Sequence, residues 1–166
     1  MKQILTQKLS IYLVADFTSR PRSFVLSQTE KALYGGTATV QYRDKSRASY
    51  EEKADRCRVL AALARKAGAL FVVNDSLELA ISCQADGVHL GTSDLSMALA
   101  RQRAPKSLII GGSANDPAQA RELEEQGADY LGVGAIYEAR SSKPDASPPI
   151  GCNMLKQVVD AVNVPV

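Results

Sequence analysis

The sequence lacks long apolar runs and basic clusters, and each of these shortages excludes a class of protein. No apolar run is long enough to span a membrane, and the polar N-terminus is unlike a secretory signal peptide. The formal net charge is only +2, and no basic block offers a surface for nucleic acid. We therefore expect a cytoplasmic protein that binds neither membranes nor nucleic acid.

Cysteine is scarce, and a complete dinucleotide fingerprint is missing. Cys57, Cys83 and Cys152 lack the spacing of a metal site, and their odd number argues against a closed set of disulfides. We predict free thiols, buried or half-buried, in a reducing compartment. The Gly-Val-Gly of residues 132–134 lacks the third glycine of a nicotinamide-binding motif, which argues against that cofactor.

What the chain does have is a regular alternation of short apolar runs with helical periodicity. The apolar runs predict strands at residues 11–15, 39–42, 70–73, 87–90, 108–111 and 130–133, with the start of a seventh at 164–166. Helices are predicted at residues 24–34, 76–83, 95–103, 118–126 and 153–162. A further helix is predicted to begin at the capping-box pattern of Ser49 and Glu52, and apolar residues from Ala54 to Ala67 mark one of its faces.

This alternation predicts an α/β fold with parallel strands that are covered on both faces. Six strand–helix units and part of a seventh indicate a (β/α)8 TIM barrel that is truncated after the start of the seventh strand. Residues 1–166 would then form one incomplete barrel domain, because such barrels usually need about 200 residues or more. A doubly wound sheet is the alternative, and periodicity alone does not separate the two. Similar segments at residues 84–88 and 126–130 indicate a repeated helix-to-strand turn.

One long irregular stretch interrupts the pattern at residues 138–151, where three prolines and several small residues occur. A loop of this length in a compact domain often covers a functional site, and a surface excursion is the alternative. Lys143 lies in this stretch, where it is either a surface lysine or a group that closes onto a phosphate.

Polar residues follow the second predicted strand at alternating positions. Gln41, Arg43 and Lys45 would extend to one side of an extended backbone. Arginine offers a planar fork to phosphate oxygens, lysine offers a mobile charge, and glutamine can pair with a heterocycle. A solvated strand end, partly neutralised by Asp44, is the alternative.

Acidic residues follow the next two strands. Asn74 and Asp75 come directly after residues 70–73, and Asp94 follows residues 87–90 after a glycine turn. Two carboxylates from adjacent units suit Mg²⁺, which takes oxygen ligands and substrate phosphates. Either aspartate could instead cap the helix that follows it.

Two further residues carry weaker signals. Ser113 follows a pair of glycines that would let a ligand approach the backbone, while Asn115 is a candidate helix cap. His89 lies inside an apolar strand, which favours a packed, hydrogen-bonded histidine.

Taken together, these motifs resemble the thiamine-phosphate synthase family over nearly the whole chain. The resemblance is carried by residues 41–45, 74–75, 85–94, 127–134 and 142–144. It implies a (β/α)8 barrel enzyme, a transferase that joins a pyrimidine methyl diphosphate to a thiazole phosphate. The products would be diphosphate and thiamine phosphate, in thiamine biosynthesis.

The resemblance also implies residue roles. Asp75 and Asp94 would hold Mg²⁺, and small-molecule substrates would be the partners. The pyrimidine diphosphate would be bound by Gln41, Tyr42, Arg43, Asp44, Lys45, Asn74, Ser113 and Lys143. The thiazole phosphate would be bound by Arg140, Ser141 and Ser142.

Two departures qualify this resemblance. Arg140 stands where the family usually has a hydroxyl residue, which weakens the case for thiazole recognition. The glycine-rich loop and eighth strand that help the family bind thiazole phosphate are absent, so we expect a fragment. The alternatives are a thiazole tautomerase-like relative, disfavoured by Arg43, Lys45, Asp75 and Asp94, and a non-catalytic module that binds pyrimidine or phosphate.

Overall fold

The computed structural model describes residues 2–138 and 148–166, which form alternating helices and strands. The strands described are β1 (Tyr12–Asp16), β2 (Thr39–Arg43), β3 (Leu70–Asn74), β4 (Gly87–Leu90), β5 (Ile109–Ala114) and β6 (Tyr130–Val133). The helices described are α1 (Lys2–Lys8), α2 (Arg22–Tyr34), α3 (Tyr50–Lys66), α4 (Leu77–Ser82), α5 (Met97–Arg103), α6 (Pro117–Glu125) and α7 (Gly151–Ala161). None of the helices described has the length and apolarity needed to cross a bilayer.

The chain divides into two compact units, Met1–His89 with Ala104–Leu108, and Leu90–Arg103 with Ile109–Val166. In the first unit β1, β2, β3 and β4 pair in parallel, in the order in which they occur along the chain. In the second unit β5 pairs in parallel with β6. The predicted α/β class is confirmed. Within the first unit, strand order without a reversal matches barrel topology, because a doubly wound sheet reverses its order at a switch point.

Strand β3 shows why the apolar runs of this sequence are continuous rather than alternating. Phe71, Val72 and Val73 are consecutive, and each is at most 2% exposed. Successive side chains of a strand point to opposite faces, so burial of all three means that both faces of β3 are covered. This burial fixes the strand whose carboxyl end carries Asn74 and Asp75.

Helix α3 begins where the capping-box pattern predicts. The Ser49 hydroxyl accepts a hydrogen bond from the Glu52 backbone N–H, and the Glu52 carboxylate accepts one from the Ser49 N–H. Both contacts satisfy amide groups that a helix start leaves without partners. One face of the helix is buried as its spacing predicts, at Cys57, Leu60, Ala61 and Ala64.

The repeated helix-to-strand turn is confirmed by the contacts of two aspartates. Asp86 precedes β4, and its carboxylate accepts a hydrogen bond of 2.8 Å from the backbone N–H of Phe71. Asp129 precedes β6, and its carboxylate accepts a bond of 2.8 Å from the N–H of Ile110. Each aspartate thereby ties the start of its own strand to the start of the preceding one, so these carboxylates are structural.

The structure differs from the predicted elements at both ends of the chain. Helix α1 has no counterpart in the prediction, because the segment is short and carries no clear amphipathic pattern. The seventh strand predicted at residues 164–166 is not formed there. The Leu131 N–H does donate a 2.8 Å bond to the Pro165 carbonyl, which extends the hydrogen bonding of β6 toward that segment.

The cysteines are free thiols, as their number and spacing predict. Cys57 and Cys83 are buried, whereas Cys152 is exposed and so departs from the predicted burial. Burial, followed by a hydrogen bond with Cys83, raises the pKa of the Cys57 thiol. Cys57 is therefore held as a neutral thiol in the core.

Candidate functional site

The carboxyl ends of β1, β2 and β3 bring together most of the polar residues that the sequence singles out. The strand register pairs Asp16 with Arg43 and Tyr42 with Val73, so Asn74 follows beside Arg43. Parallel strands end at the same edge of a sheet, which explains why residues distant in sequence meet here.

Arg43, the last residue of β2, forms an ion pair with Asp16, the last residue of β1. The Arg43 side chain is only 15% exposed, so most of it lies against the protein and not in open solvent. Burial acts to raise the pKa of Asp16, but hydrogen bonds from Thr18 and Arg43 outweigh it and hold that pKa below its usual range. Asp16 therefore stays ionised and orients the arginine fork.

Lys45 contacts Asp75 across the ends of β2 and β3. The lysine Nζ lies 2.5 Å from Oδ2 of Asp75, and the two side chains are 46% and 29% exposed. Asp75 has a φ of 69°, in the left-handed region that non-glycine residues rarely adopt. That conformation costs on the order of 1 kcal/mol, and such strain clusters at functional sites. A carboxylate presented this way is a candidate ligand rather than a packing residue.

The amide of Gln41 is held in place beside this group. Gln41 is only 6% exposed, and its Nε2 donates a 2.9 Å hydrogen bond to the Tyr12 hydroxyl. This contact fixes which way the amide faces. Asn74 is half-buried at the end of β3, and His89 is half-buried in β4.

Tyr42 and Asp44 lie on the other side of β2, facing helix α3. The Asp44 carboxylate is fully buried and accepts hydrogen bonds from Arg56 at 2.7 Å and from the Tyr42 hydroxyl at 3.0 Å. Both residues are predicted to bind the pyrimidine diphosphate, but Tyr42 is only 2% exposed and the Asp44 side chain is fully buried, so neither side chain is open to a ligand. The alternation of side chains along an extended chain separates them from Gln41 and Arg43.

Neither predicted metal ligand is a helix cap. Helix α4 is capped by Ser76, whose hydroxyl accepts from the Leu79 N–H, so the capping alternative for Asp75 is wrong. Helix α5 begins only at Met97, and Asp94 instead accepts a 2.7 Å hydrogen bond from the Gly91 N–H. Asp75 belongs to the first unit and Asp94 to the second.

The expectation that the glycines before Ser113 make room for a ligand is wrong. A Cβ added to Gly111 would lie 2.2 Å from the Tyr130 ring, and one added to Gly112 would lie 2.9 Å from Met97. The space beside both glycines is therefore filled by the protein's own side chains. Ser113 is half-buried within β5, in the second unit. The cap of the next helix is Asp116, not Asn115.

The remaining predicted ligands fall outside the described residues. These are Arg140, Ser141, Ser142 and Lys143. The predicted lid also lies mostly in this part of the chain.

The donor set supports oxygen ligation. No cluster of three or more His, Cys, Asp or Glu side chains poised for a metal occurs in residues 2–138 and 148–166. Magnesium does not require such a cluster, since it keeps several waters and takes one or two carboxylates together with substrate phosphates. Asp75 offers a partly exposed carboxylate of this kind.

The residue that sequence reasoning missed is Asp16. It follows an apolar strand directly, as Asn74 and Asp75 follow theirs, so the same signal could have identified it. Its contact with Arg43 depends on the register between β1 and β2, which periodicity does not provide.

Comparison with known proteins gives a consistent result. A family model described as thiamine monophosphate synthase matches residues 11–166. The thiamine-phosphate synthase of Natronomonas pharaonis is 40% identical over 163 residues, covering 97% of this chain and 75% of that protein. The thiamine-phosphate synthase of Coprothermobacter proteolyticus is 37% identical over 164 residues, covering 99% of this chain and 76% of that protein.

Solved structures agree with the sequence comparisons. A thiamine phosphate pyrophosphorylase from Pyrococcus furiosus superposes with a TM-score of 0.84 at 32% identity, covering 98% of this chain and 75% of that one. An N-acetylmannosamine-6-phosphate 2-epimerase from Clostridium perfringens, with a TM-score of 0.68 and 11% identity, shares the fold alone. It covers 100% of this chain and 78% of its own.

Proposed function

The chain belongs to the thiamine monophosphate synthase family, and from that premise we propose that it is a transferase of thiamine biosynthesis. It joins 4-amino-2-methyl-5-(diphosphooxymethyl)pyrimidine to a thiazole phosphate, releasing diphosphate and forming thiamine phosphate. The observation that carries the proposal is the pair of cations at the end of β2, Arg43 and Lys45, each held by a carboxylate from a neighbouring strand.

Arg43 and Lys45 bind the diphosphate group in this proposal. Asp16 holds the Arg43 guanidinium, which presents a planar fork to phosphate oxygens. Lys45 is about half exposed and flexible, so its ammonium can leave Asp75 for a phosphate oxygen. Lys143 adds a further cation from the segment after β6.

Asp75 and Asp94 hold Mg²⁺ in this proposal. Both are carboxylates that follow strands of the α/β fold, and the hard oxygen donor suits this ion. When bound, the ion supplies Lewis-acid neutralisation of the negative charge on the departing diphosphate.

Gln41, Asn74 and Ser113 recognise the pyrimidine. Gln41 supports this role because its amide is nearly buried and oriented by Tyr12, as pairing with the edge of a heterocycle requires. Tyr42 and Asp44, whose side chains are buried, support the segment that carries Arg43 and Lys45. Arg140, Ser141 and Ser142 bind the thiazole phosphate, with Ser142 supplying a hydroxyl where the family has one.

The chemistry needs alignment and charge more than a strong base. The methylene carbon–oxygen bond breaks and its electron pair leaves with the diphosphate, while the thiazole nitrogen supplies the pair for the new carbon–nitrogen bond. Arg43 and Lys45 stabilise the charge that grows on the leaving oxygens. Fixing the two rings in line removes much of the entropic barrier to their reaction.

An assay with both substrates and Mg²⁺ tests the proposal. Formation of thiamine phosphate with equimolar diphosphate is the expected result. Binding of the pyrimidine diphosphate without product indicates a binding module instead. Conversion of a thiazole phosphate tautomer without coupling indicates a tautomerase. A Lys45→Met variant serves as the control: it should weaken coupling and binding of the pyrimidine diphosphate, which depend on the diphosphate contact, and should leave a tautomerase activity unchanged.

A further inference from the structure

Asp44 occupies an unusual position between the two cations of the proposed site. It lies between Arg43 and Lys45 in sequence, yet its side chain points the opposite way and has no exposed surface. Burial of a carboxylate is unfavourable unless its charge and hydrogen-bonding capacity are satisfied. The contacts of Asp44 therefore indicate what the protein gains from burying it.

The Asp44 carboxylate is satisfied on both oxygens. Its Oδ2 accepts from Nη1 of Arg56 at 2.7 Å and from the Tyr42 hydroxyl at 3.0 Å. Its Oδ1 accepts from the backbone N–H of Ser46 at 2.9 Å. Burial acts to raise the pKa of Asp44, but hydrogen bonds from Ser46, Arg56 and Tyr42 outweigh it and keep the group ionised.

These contacts brace the backbone of Lys45 from both sides. The bond from Ser46 closes a turn over Lys45, of the type in which an aspartate binds the amide two residues later. The Lys45 N–H donates to the Thr18 hydroxyl at 3.0 Å. The backbone that carries this flexible cation is therefore fixed, although the side chain itself is free to change partners.

Arg56 is itself held in a fixed orientation. Its guanidinium carbon lies 5.7 Å from the centroid of the Phe17 ring, a cation–π contact, and Phe17 in turn packs against Tyr42 with centroids 5.5 Å apart. The Arg56 side chain is only 22% exposed. Arg56 thus links helix α3 to the end of β2 through a rigid planar group.

A buried ion pair of this kind is a poor source of net stability. Desolvation of both charges offsets much of their attraction, and apolar residues of similar volume often stabilise a fold as well. What the pair supplies is a defined geometry at one place in the chain. In this protein that place is the segment of Arg43 and Lys45.

We propose that Arg56 is a positioning residue for the diphosphate subsite, acting through Asp44 on Lys45 and Arg43. The inference rests on the proposed function and deepens it, because it assigns to helix α3 a role in catalysis without contact with substrate. Tyr42 shares this role as the second donor to Asp44.

Kinetics of Arg56→Met, Arg56→Lys and Tyr42→Phe test this inference. The matched control is Arg22→Met, which breaks an exposed ion pair of 2.6 Å between Arg22 and Asp55 of the same helix α3. A displacement of ~1 Å in a catalytic group can cost about 100-fold in rate, so we expect Arg56→Met to reduce kcat/KM for the pyrimidine diphosphate by about 10- to 100-fold.

The pattern across substrates and variants separates positioning from general destabilisation. In Arg56→Met we expect KM for the pyrimidine diphosphate to rise, while KM for the thiazole phosphate stays near the wild-type value. The unfolding midpoint of the control Arg22→Met should also stay near wild type. Arg56→Lys restores part of the loss, since it keeps the charge, and Tyr42→Phe gives a smaller loss. If Arg56→Met does not fold, KM for the pyrimidine diphosphate is compared between wild type, Arg56→Lys and Tyr42→Phe. A raised KM in these two variants supports the positioning role of Arg56, and a wild-type KM in both rejects it.

Wild-type KM for the pyrimidine diphosphate in a folded Arg56→Met protein would overturn the inference. Equal losses for both substrates would also overturn it. If the wild-type protein makes no thiamine phosphate, the proposed function fails instead. The affinity of the same variants for inorganic diphosphate, measured by calorimetry, then decides the positioning role: weaker binding in Arg56→Met supports it, and unchanged binding rejects it.

Discussion

The ammonium nitrogen of Lys45 lies 2.5 Å from a carboxylate oxygen of Asp75, so a proposed phosphate contact and a proposed metal ligand are each other's partner. The charges of the site are thus balanced within the protein, as they are at Arg43 and Asp16. Binding of a metal–diphosphate complex would replace this pair with two new contacts. The Asp75 carboxylate would then contact the metal ion, and the Lys45 ammonium would contact a phosphate oxygen. The following predictions depend on this exchange.

Loss of either proposed metal ligand is expected to abolish most of the activity. Asp75→Asn and Asp94→Asn should each lower kcat/KM by about 100-fold or more, because neutralisation of the leaving group is weakened. Turnover measured against Mg²⁺ concentration checks this. Asp160→Asn, which removes an exposed carboxylate paired with Lys156, is the matched control and should be unaffected. Near-normal turnover of Asp75→Asn at saturating Mg²⁺ would remove Asp75 from the metal role.

Replacement of Lys45 should have opposite effects on metal and substrate. In Lys45→Met the carboxylate of Asp75 loses its competing cation, and a partly exposed pair is worth about 1 kcal/mol at most, so Mg²⁺ should bind up to about 5-fold more tightly. The KM for the pyrimidine diphosphate should instead rise. Calorimetry and steady-state kinetics measure the two effects, with Lys156→Met as the exposed control. Weaker Mg²⁺ binding in Lys45→Met would contradict the proposed exchange.

The turn aspartate Asp86 should affect stability but not catalysis. Asp86→Ala removes the acceptor for the backbone N–H of Phe71, and an unsatisfied buried donor costs about 1–3 kcal/mol in the free energy of unfolding. Asp86→Asn keeps an acceptor oxygen and should recover part of that loss. Urea unfolding measures the difference. A fall in kcat of folded Asp86→Ala at low temperature would show that this turn serves the site.

Stability should fall as the solution is acidified through the carboxylate range. The folded-state pKa values of Asp16 and Asp44 lie below the ordinary aspartate value of 3.8, because hydrogen bonds outweigh burial. Their contribution is therefore present above pH 3.8 and is lost as pH falls further toward the folded-state values. Thermal unfolding between pH 6 and about pH 2.5 measures this. Asp44→Asn should show a shallower dependence over the acid range, and an equal or steeper one would contradict the assignment.

Local patterns predicted the elements well where burial and capping dominate. The continuous apolar run at Phe71 and its neighbours identified β3, and Ser49 with Glu52 identified the start of α3. Each of these signals lies within a few residues of the structure that it specifies. The repeated turns at Asp86 and Asp129 were found from their similarity to each other.

Features that depend on packing between elements were not predictable from local patterns. The partner of Arg43 is Asp16, which only the strand register brings near, and the partner of Asp44 is Arg56 on the following helix. The space beside Gly111 is filled by the Tyr130 ring and not left for a ligand, and this depends on how β5 packs against β6. The resemblance to a family predicted the site residues, and the structure shows the ion pairs that Arg43, Asp44 and Lys45 make.

The most direct test of the central claim is a crystal structure of the protein with Mg²⁺ and inorganic diphosphate. The account predicts an ion on the Asp75 carboxylate, with diphosphate oxygens on Arg43 and Lys45. An ion bound away from Asp75, or a diphosphate that leaves the Lys45–Asp75 pair intact, would contradict it.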